Sequence, residues 1–127
     1  KNESVFSLKQ DVKILDEFIL KKGVESMGDA MKKYQISPEN ITYFLPHISS
    51  VFFKDKLYNE FKHAGLEIAK DKWFINLPKV GNVGAASIYL MLEELYHSNK
   101  LKSGDTIMLS VPESGRFSYA YAFLKVV

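Results

Sequence analysis

Ile41-Thr42-Tyr43-Phe44-Leu45 is the stretch whose reading decides the fold. It is short, β-branched and aromatic, and apolar on both faces, which is the signature of a strand buried in a parallel sheet. Ser37-Pro38-Glu39-Asn40 supplies the turn before it, and Pro46 should stop it because proline cannot donate to a ladder. Upstream, Asp11 to Tyr34 carries apolar residues at helical spacing: Val12, Leu15, Phe18 and Ile19, then Met27, Ala30, Met31 and Tyr34. This predicts an amphipathic helix, bent near Gly23. Downstream, Ser49 or Ser50 can cap a helix whose inward face is Phe53, Leu57, Phe61 and Ala64, with Gly65 as a left-handed stop. A buried strand between two amphipathic helices is α/β architecture.

The pattern continues to the end of the chain. Trp73-Phe74-Ile75-Asn76-Leu77 reads as a second strand, and a helix from about Ala85 to Ser98 turns Ile88, Leu92 and Leu95 inward. Lys102-Ser103-Gly104-Asp105 is a turn. Thr106 to Val111 and Phe117 to Val127 read as strands, joined by Pro112-Glu113-Ser114-Gly115-Arg116, a link short enough to demand antiparallel neighbours. The predicted order is helix, strand, helix, strand, helix, strand, strand, within one domain spanning 1–127. The state of Ser4 to Leu8 is left open.

Composition narrows the function classes. A chain of 127 residues, 46% hydrophobic and 25% charged, suits one globular domain with a core of its own. Seventeen basic and 15 acidic residues are interspersed, without the basic stripe of a nucleic-acid binder. No apolar run approaches the ~20 residues of a bilayer span, and no signal-peptide pattern opens the chain, so a cytoplasmic setting is expected. The absence of cysteine excludes a disulfide framework, a thiolate nucleophile and a cysteine metal site within these residues. His47, His63 and His97 have no compact metal spacing, so neither metal nor cofactor is expected. A nucleophile elbow and a phosphate-binding loop are both missing from the sequence.

In open α/β sheets, ligands gather beyond the carboxyl ends of parallel strands. His47, the Gly81-Asn82 turn and the Glu113 to Arg116 loop should all fall there. Singly each is a weak signal: a histidine after a strand is often structural, and a Gly-Asn turn before a helix is usually a cap.

Their order is more specific. Leu45-Pro46-His47, then Gly81-Asn82-Val83-Gly84-Ala85-Ala86-Ser87-Ile88, then the Lys102-Ser103-Gly104-Asp105 turn with an apolar strand and a Gly-containing loop after it, form one ordered set. This resembles the C-terminal half of the thiolase-fold condensing enzymes, specifically the β-ketoacyl-acyl-carrier-protein synthase III family, over most of the chain. Pro46-His47-Ile48-Ser49-Ser50 and Pro112-Glu113-Ser114-Gly115-Arg116-Phe117 look more like a branch associated with aryl-polyene or flexirubin-type pigments. The resemblance implies a mixed sheet with packed helices and the last two strands antiparallel. It implies that His47 and Asn82 bind the extender thioester and promote its decarboxylation, and that the backbone amide of Gly115 serves the oxyanion hole. Two neutral donors aimed at an enolate oxygen stabilise charge that develops only in the transition state.

The same resemblance implies acyl-carrier-protein or coenzyme A thioesters as partners. It also implies an N-terminal half carrying the catalytic cysteine, a homo- or heterodimer in the complete enzyme, and an origin of this chain as a domain excised from a longer one. Glu113 and Arg116 could shape the acyl pocket, bind a partner or pair with each other. Lys54, Lys56, Lys62, Lys70 and Lys72 could meet an acidic carrier, although solvated helix faces explain most of them. The alternative function is a noncatalytic partner or dimerisation subunit with the same fold.

Overall fold

Helix α1 (Val12–Tyr34) begins at Asp11, whose carboxylate accepts from the amides of Lys13 and Ile14 at 3.0 and 3.2 Å. That satisfies two of the amides a helix start leaves without partners. The computed structural model describes residues 11–127, so the segment Ser4 to Leu8 lies outside the described residues. The helix ends where Gln35 turns left-handed (φ 55°) and the amide of Ile36 reaches back to the Met31 carbonyl at 2.9 Å. Its inward stripe is Val24, Met27 and Met31, while Phe18 and Tyr34, expected inward, are 40% and 57% exposed.

The helix is continuous through Gly23. Glycine there also meets a packing need. A Cβ at that position would lie 2.9 Å from Cε1 of Tyr119, so its absence lets helix and sheet approach closely.

Strand β1 (Tyr43–Pro46) pairs in parallel with β2 (Thr106–Glu113), and β2 pairs antiparallel with β3 (Ser118–Lys125), giving the order β1-β2-β3. Between them come α2 (Phe52–His63), the single-turn α3 (Leu77–Val80) and α4 (Ser87–Tyr96). The alternation of a strand separates two cores. Phe44 and Met108 face α1 and α2 with Met27, Met31 and Phe61, whereas Leu45 and Ile107 face α4 with Ile88, Met91 and Leu95. Among the described residues no helix is long and apolar enough to cross a membrane.

The expected second strand is the main correction. Of Trp73 to Leu77, only Trp73 bridges Phe44, with the amide of Phe74 donating to the Phe44 carbonyl at 2.8 Å. The ladder cannot extend, because β1 ends at Pro46 and a helical turn starts at Leu77 with Pro78 as its second residue. Trp73 instead anchors the core: its indole N–H donates to the Ile68 carbonyl at 2.9 Å, and its ring packs on Phe44 and Phe61 at 5.0 and 5.8 Å.

Candidate active site

Pro46 ends β1, and the backbone amide of His47 makes the last rung, donating to the Ser110 carbonyl of β2 at 2.8 Å. The imidazole is therefore fixed at the carboxyl end of the parallel pair. It is half-buried, and that burial holds its pKa below the ordinary 6.5, favouring the neutral ring at neutral pH. A neutral imidazole offers one donor and one acceptor.

Asn82 reaches the same place from the other side. The turn before it is held by Asn76, whose backbone carbonyl accepts from Lys79 and Val80 at 2.9 and 3.0 Å to form α3. Beyond it, buried Ser87 accepts from the Val83 amide through its hydroxyl at 3.2 Å and steadies the start of α4. Within the loop, Asn82 Oδ1 accepts from the Gly84 amide at 2.9 Å. That bond uses the acceptor end of the carboxamide and leaves Nδ2, a pure donor, for a ligand.

His47 and Asn82 line one cavity of about 300 Å³, together with Ser110 and Ser114 from β2 and the loop after it. Ser49 adds a further hydroxyl, and the rest of the wall is mostly apolar and comes largely from α1, α2 and β3. Among the described residues no aspartate, glutamate, lysine or arginine lines it. Two neutral donors beside an apolar chamber suit a substrate whose oxygen gains negative charge only during reaction.

The third sequence-derived element sits differently. Ser114 lines the cavity, but Gly115, Glu113 and Arg116 do not. The Gly115 amide donates to Glu113 Oε1 at 2.6 Å, and the Arg116 amide to Glu113 Oε2 at 3.0 Å. Glu113 thus pins the turn through its neighbours' backbone. Of the lysines that could meet an acidic carrier, Lys70 pairs with Asp55 at 2.8 Å and lies over the Tyr58 ring, and Lys72 donates to the Glu39 carbonyl at 3.1 Å.

Sequence reading missed Tyr119 and Tyr121, which form cavity wall from β3. Their hydroxyls donate to the α1 carbonyls of Ile19 and Gly23 at 2.6 and 2.8 Å. Burial raises Tyr121 to about 12. The signal was available in the period-two run Tyr119, Tyr121, Phe123, but nothing local says which face of that strand meets a cavity.

Comparisons with known proteins place the chain in a family and a fold. Residues 31–125 match the family model described as 3-oxoacyl-[acyl-carrier-protein (ACP)] synthase III C terminal. A β-ketoacyl-[acyl-carrier-protein] synthase III of Clostridium beijerinckii is 34% identical over 103 residues, covering 80% of this chain and 29% of the relative. The crystal structure of 3-oxoacyl-[acyl-carrier-protein] synthase III from Aquifex aeolicus superposes with a TM-score of 0.73 at 25% identity, over 93% of this chain and 36% of that one. The synthase III structure from Pseudomonas aeruginosa gives 0.77 over 99% of this chain and 38% of that one at 16% identity, a likeness of fold. The chain spans about a third of the length of these proteins.

Proposed function

The chain belongs to the 3-oxoacyl-[acyl-carrier-protein] synthase III family, as its C-terminal, thiolase-fold domain, and from that membership we propose that it supplies the decarboxylation residues of a condensing enzyme. The observation that carries this reading is that His47, its pKa lowered by burial, and Asn82 line one cavity in which no charged side chain stands among the described residues.

In the proposed step a malonyl thioester lies with its thioester oxygen between His47 and Asn82 Nδ2. The bond from the α-carbon to the carboxylate breaks, carbon dioxide leaves, and the electron pair moves onto the thioester oxygen as an enolate. The two donors stabilise that oxygen in a water-poor site. Carbonyl re-formation then drives the α-carbon onto the acyl group of a second thioester, whose thiolate departs. The acyl carrier in that step is a cysteine outside residues 1–127, since these residues contain none. The thioesters are carried by acyl carrier protein or coenzyme A, and the complete enzyme is a dimer in this reading.

The test is condensation by the intact protein with His47→Ala and Asn82→Ala. Each should lower kcat by about 10²–10³-fold, the usual effect of losing one such donor. Unchanged turnover in both would overturn the assignment. A second reading, a noncatalytic partner or dimerisation subunit, draws support from Glu113, whose carboxylate occupies the Gly115 amide that the oxyanion role requires. Glu113→Ala separates the two: faster acyl transfer supports Gly115 as the donor once released, while no acyl transfer in either protein supports the partner reading.

A further inference from the structure

We propose that Glu94, which lies outside the cavity, is a positioning residue for the condensation: through Asn76 and Lys79 it sets where Asn82 stands relative to His47. This rests on the condensing-enzyme reading above and adds to it a residue of α4 on which the step depends.

The backbone around Asn82 has little of its own to hold it. Gly81 and Gly84 flank it at φ +74° and +62°, with nothing within 4 Å of where a Cβ would stand at either, and residues 81–86 are exposed. The bond from the Gly84 amide to Asn82 Oδ1 stays within the loop. Glycine is the residue least restricted by its own sterics, so the place of Asn82 has to come from the two ends of the loop. The downstream end is fixed by Ser87, whose hydroxyl accepts from the Val83 amide. Upstream stands α3, four residues long, and a single turn is far below the length at which a helix holds by itself. The Gly81 amide closes that turn on the Leu77 carbonyl at 2.9 Å, so a shift of α3 carries Asn82 with it.

Glu94 supplies what α3 lacks. Its two carboxylate oxygens take different partners: Oε2 accepts from Asn76 Nδ2 at 2.9 Å, immediately before α3, and Oε1 from Lys79 Nζ at 3.0 Å, near its end. Helix α4 carries Glu94 and also begins at Ser87, so one helix grips both ends of the Asn82 loop. Among the described residues the buried polar side chains are Asn76 and Ser87, the two anchors of this loop. Burying a polar side chain is unfavourable unless it is hydrogen-bonded, and their placement at either end of one exposed loop points to a fixed geometry there. Asn76, Gly81 and Ser87 also line a small cavity with His47, so the clasp abuts the first donor as it positions the second. The Lys79 side of the clasp is exposed, where ion pairs contribute little, which leaves the Asn76 bond as the effective one.

The experiment is condensation by the intact protein carrying Glu94→Ala, Glu94→Gln, Asn82→Ala or His47→Ala, and the double variant Glu94→Ala with Asn82→Ala. Glu94→Ala should lower kcat about tenfold with KM nearly unchanged, because displacing a donor that acts in the transition state is felt in kcat. Glu94→Gln, whose Oε1 can still accept from Asn76, should recover most of that loss. In the Asn82→Ala background, Glu94→Ala should add less than about twofold, since residues that act as a unit are not additive, whereas a merely structural loss would add in full. If Glu94→Ala does not fold, Glu94→Asp, which withdraws the carboxylate by one carbon, takes its place with the same expectation. A Glu94 variant that leaves kcat unchanged while Asn82→Ala lowers it overturns this inference alone, as does a fully additive loss in the double variant. Asn82→Ala without effect leaves nothing to position and overturns it too; if His47→Ala is also without effect, the condensing-enzyme reading falls with it.

Discussion

Nδ2 of Asn76, a side chain 6% exposed, donates to Glu94 Oε2 at 2.9 Å and so ties the segment leading into Asn82 to helix α4. Lys79 closes the clasp from within α3, its ammonium 3.0 Å from Glu94 Oε1. The loop that presents Asn82 is thereby held at its start by a side chain from the helix that follows it.

This clasp should be pH-dependent. The Asn76 hydrogen bond, followed by that of Lys79, lowers the Glu94 pKa below its ordinary 4.5. A carboxylate with a lowered folded-state pKa contributes stability above its unfolded pKa and loses it as pH falls through the folded one. Urea unfolding of the native protein and Glu94→Gln should therefore differ at pH 7 and converge at pH values below the carboxylate range.

His47 should titrate below 6.5, because burial disfavours its charged form. The sign follows from linkage: the unfolded chain binds the proton more readily, so stability falls as pH drops below the unfolded pKa. An imidazole titration by NMR gives the midpoint, and a value above 6.5 would contradict a neutral donor at work.

Replacing Gly23 with alanine should destabilise the fold by about 1 kcal/mol. Overpacking of this kind costs ~1–3 kcal/mol, against a gain of about 1 kcal/mol in helix propensity. The Tyr119 ring cannot simply swing away, since its hydroxyl is held by the Ile19 carbonyl of the same helix at 2.6 Å. Thermal unfolding of Gly23→Ala alone and combined with Tyr119→Ala checks it: the loss should vanish in the second background.

Gly65→Ala should cost roughly 1 kcal/mol for a purely backbone reason. Gly65 adopts φ +70° with nothing within 4 Å of where a Cβ would stand, so the left-handed conformation is the only penalty. Gly65→Asn should lose less in the same denaturation experiment, because asparagine tolerates that region.

Much of this protein was readable from the chain because the signals are local. Helical spacing, the Gly65 stop, the apolar run ending at Pro46, and the short link between Glu113 and Ser118 each depend on neighbours a few residues away. The ordered motifs around His47 and Asn82 were legible for the same reason. What only the tertiary structure decided depends on partners far along the sequence. Trp73 to Leu77 has strand-like composition, yet the β1 edge beside it is too short to pair with, so Trp73 becomes a core anchor instead. The close packing at Gly23 is invisible until Tyr119, nearly a hundred residues on, is laid against it. Gly115 looks like a free donor until the carboxylate of Glu113 folds back onto its amide. A sequence specifies which elements its local propensities favour. Which edges find partners, which amides are already occupied and where two helices leave a cavity are settled by packing, because close contact, burial and hydrogen-bond competition exist only once distant segments meet.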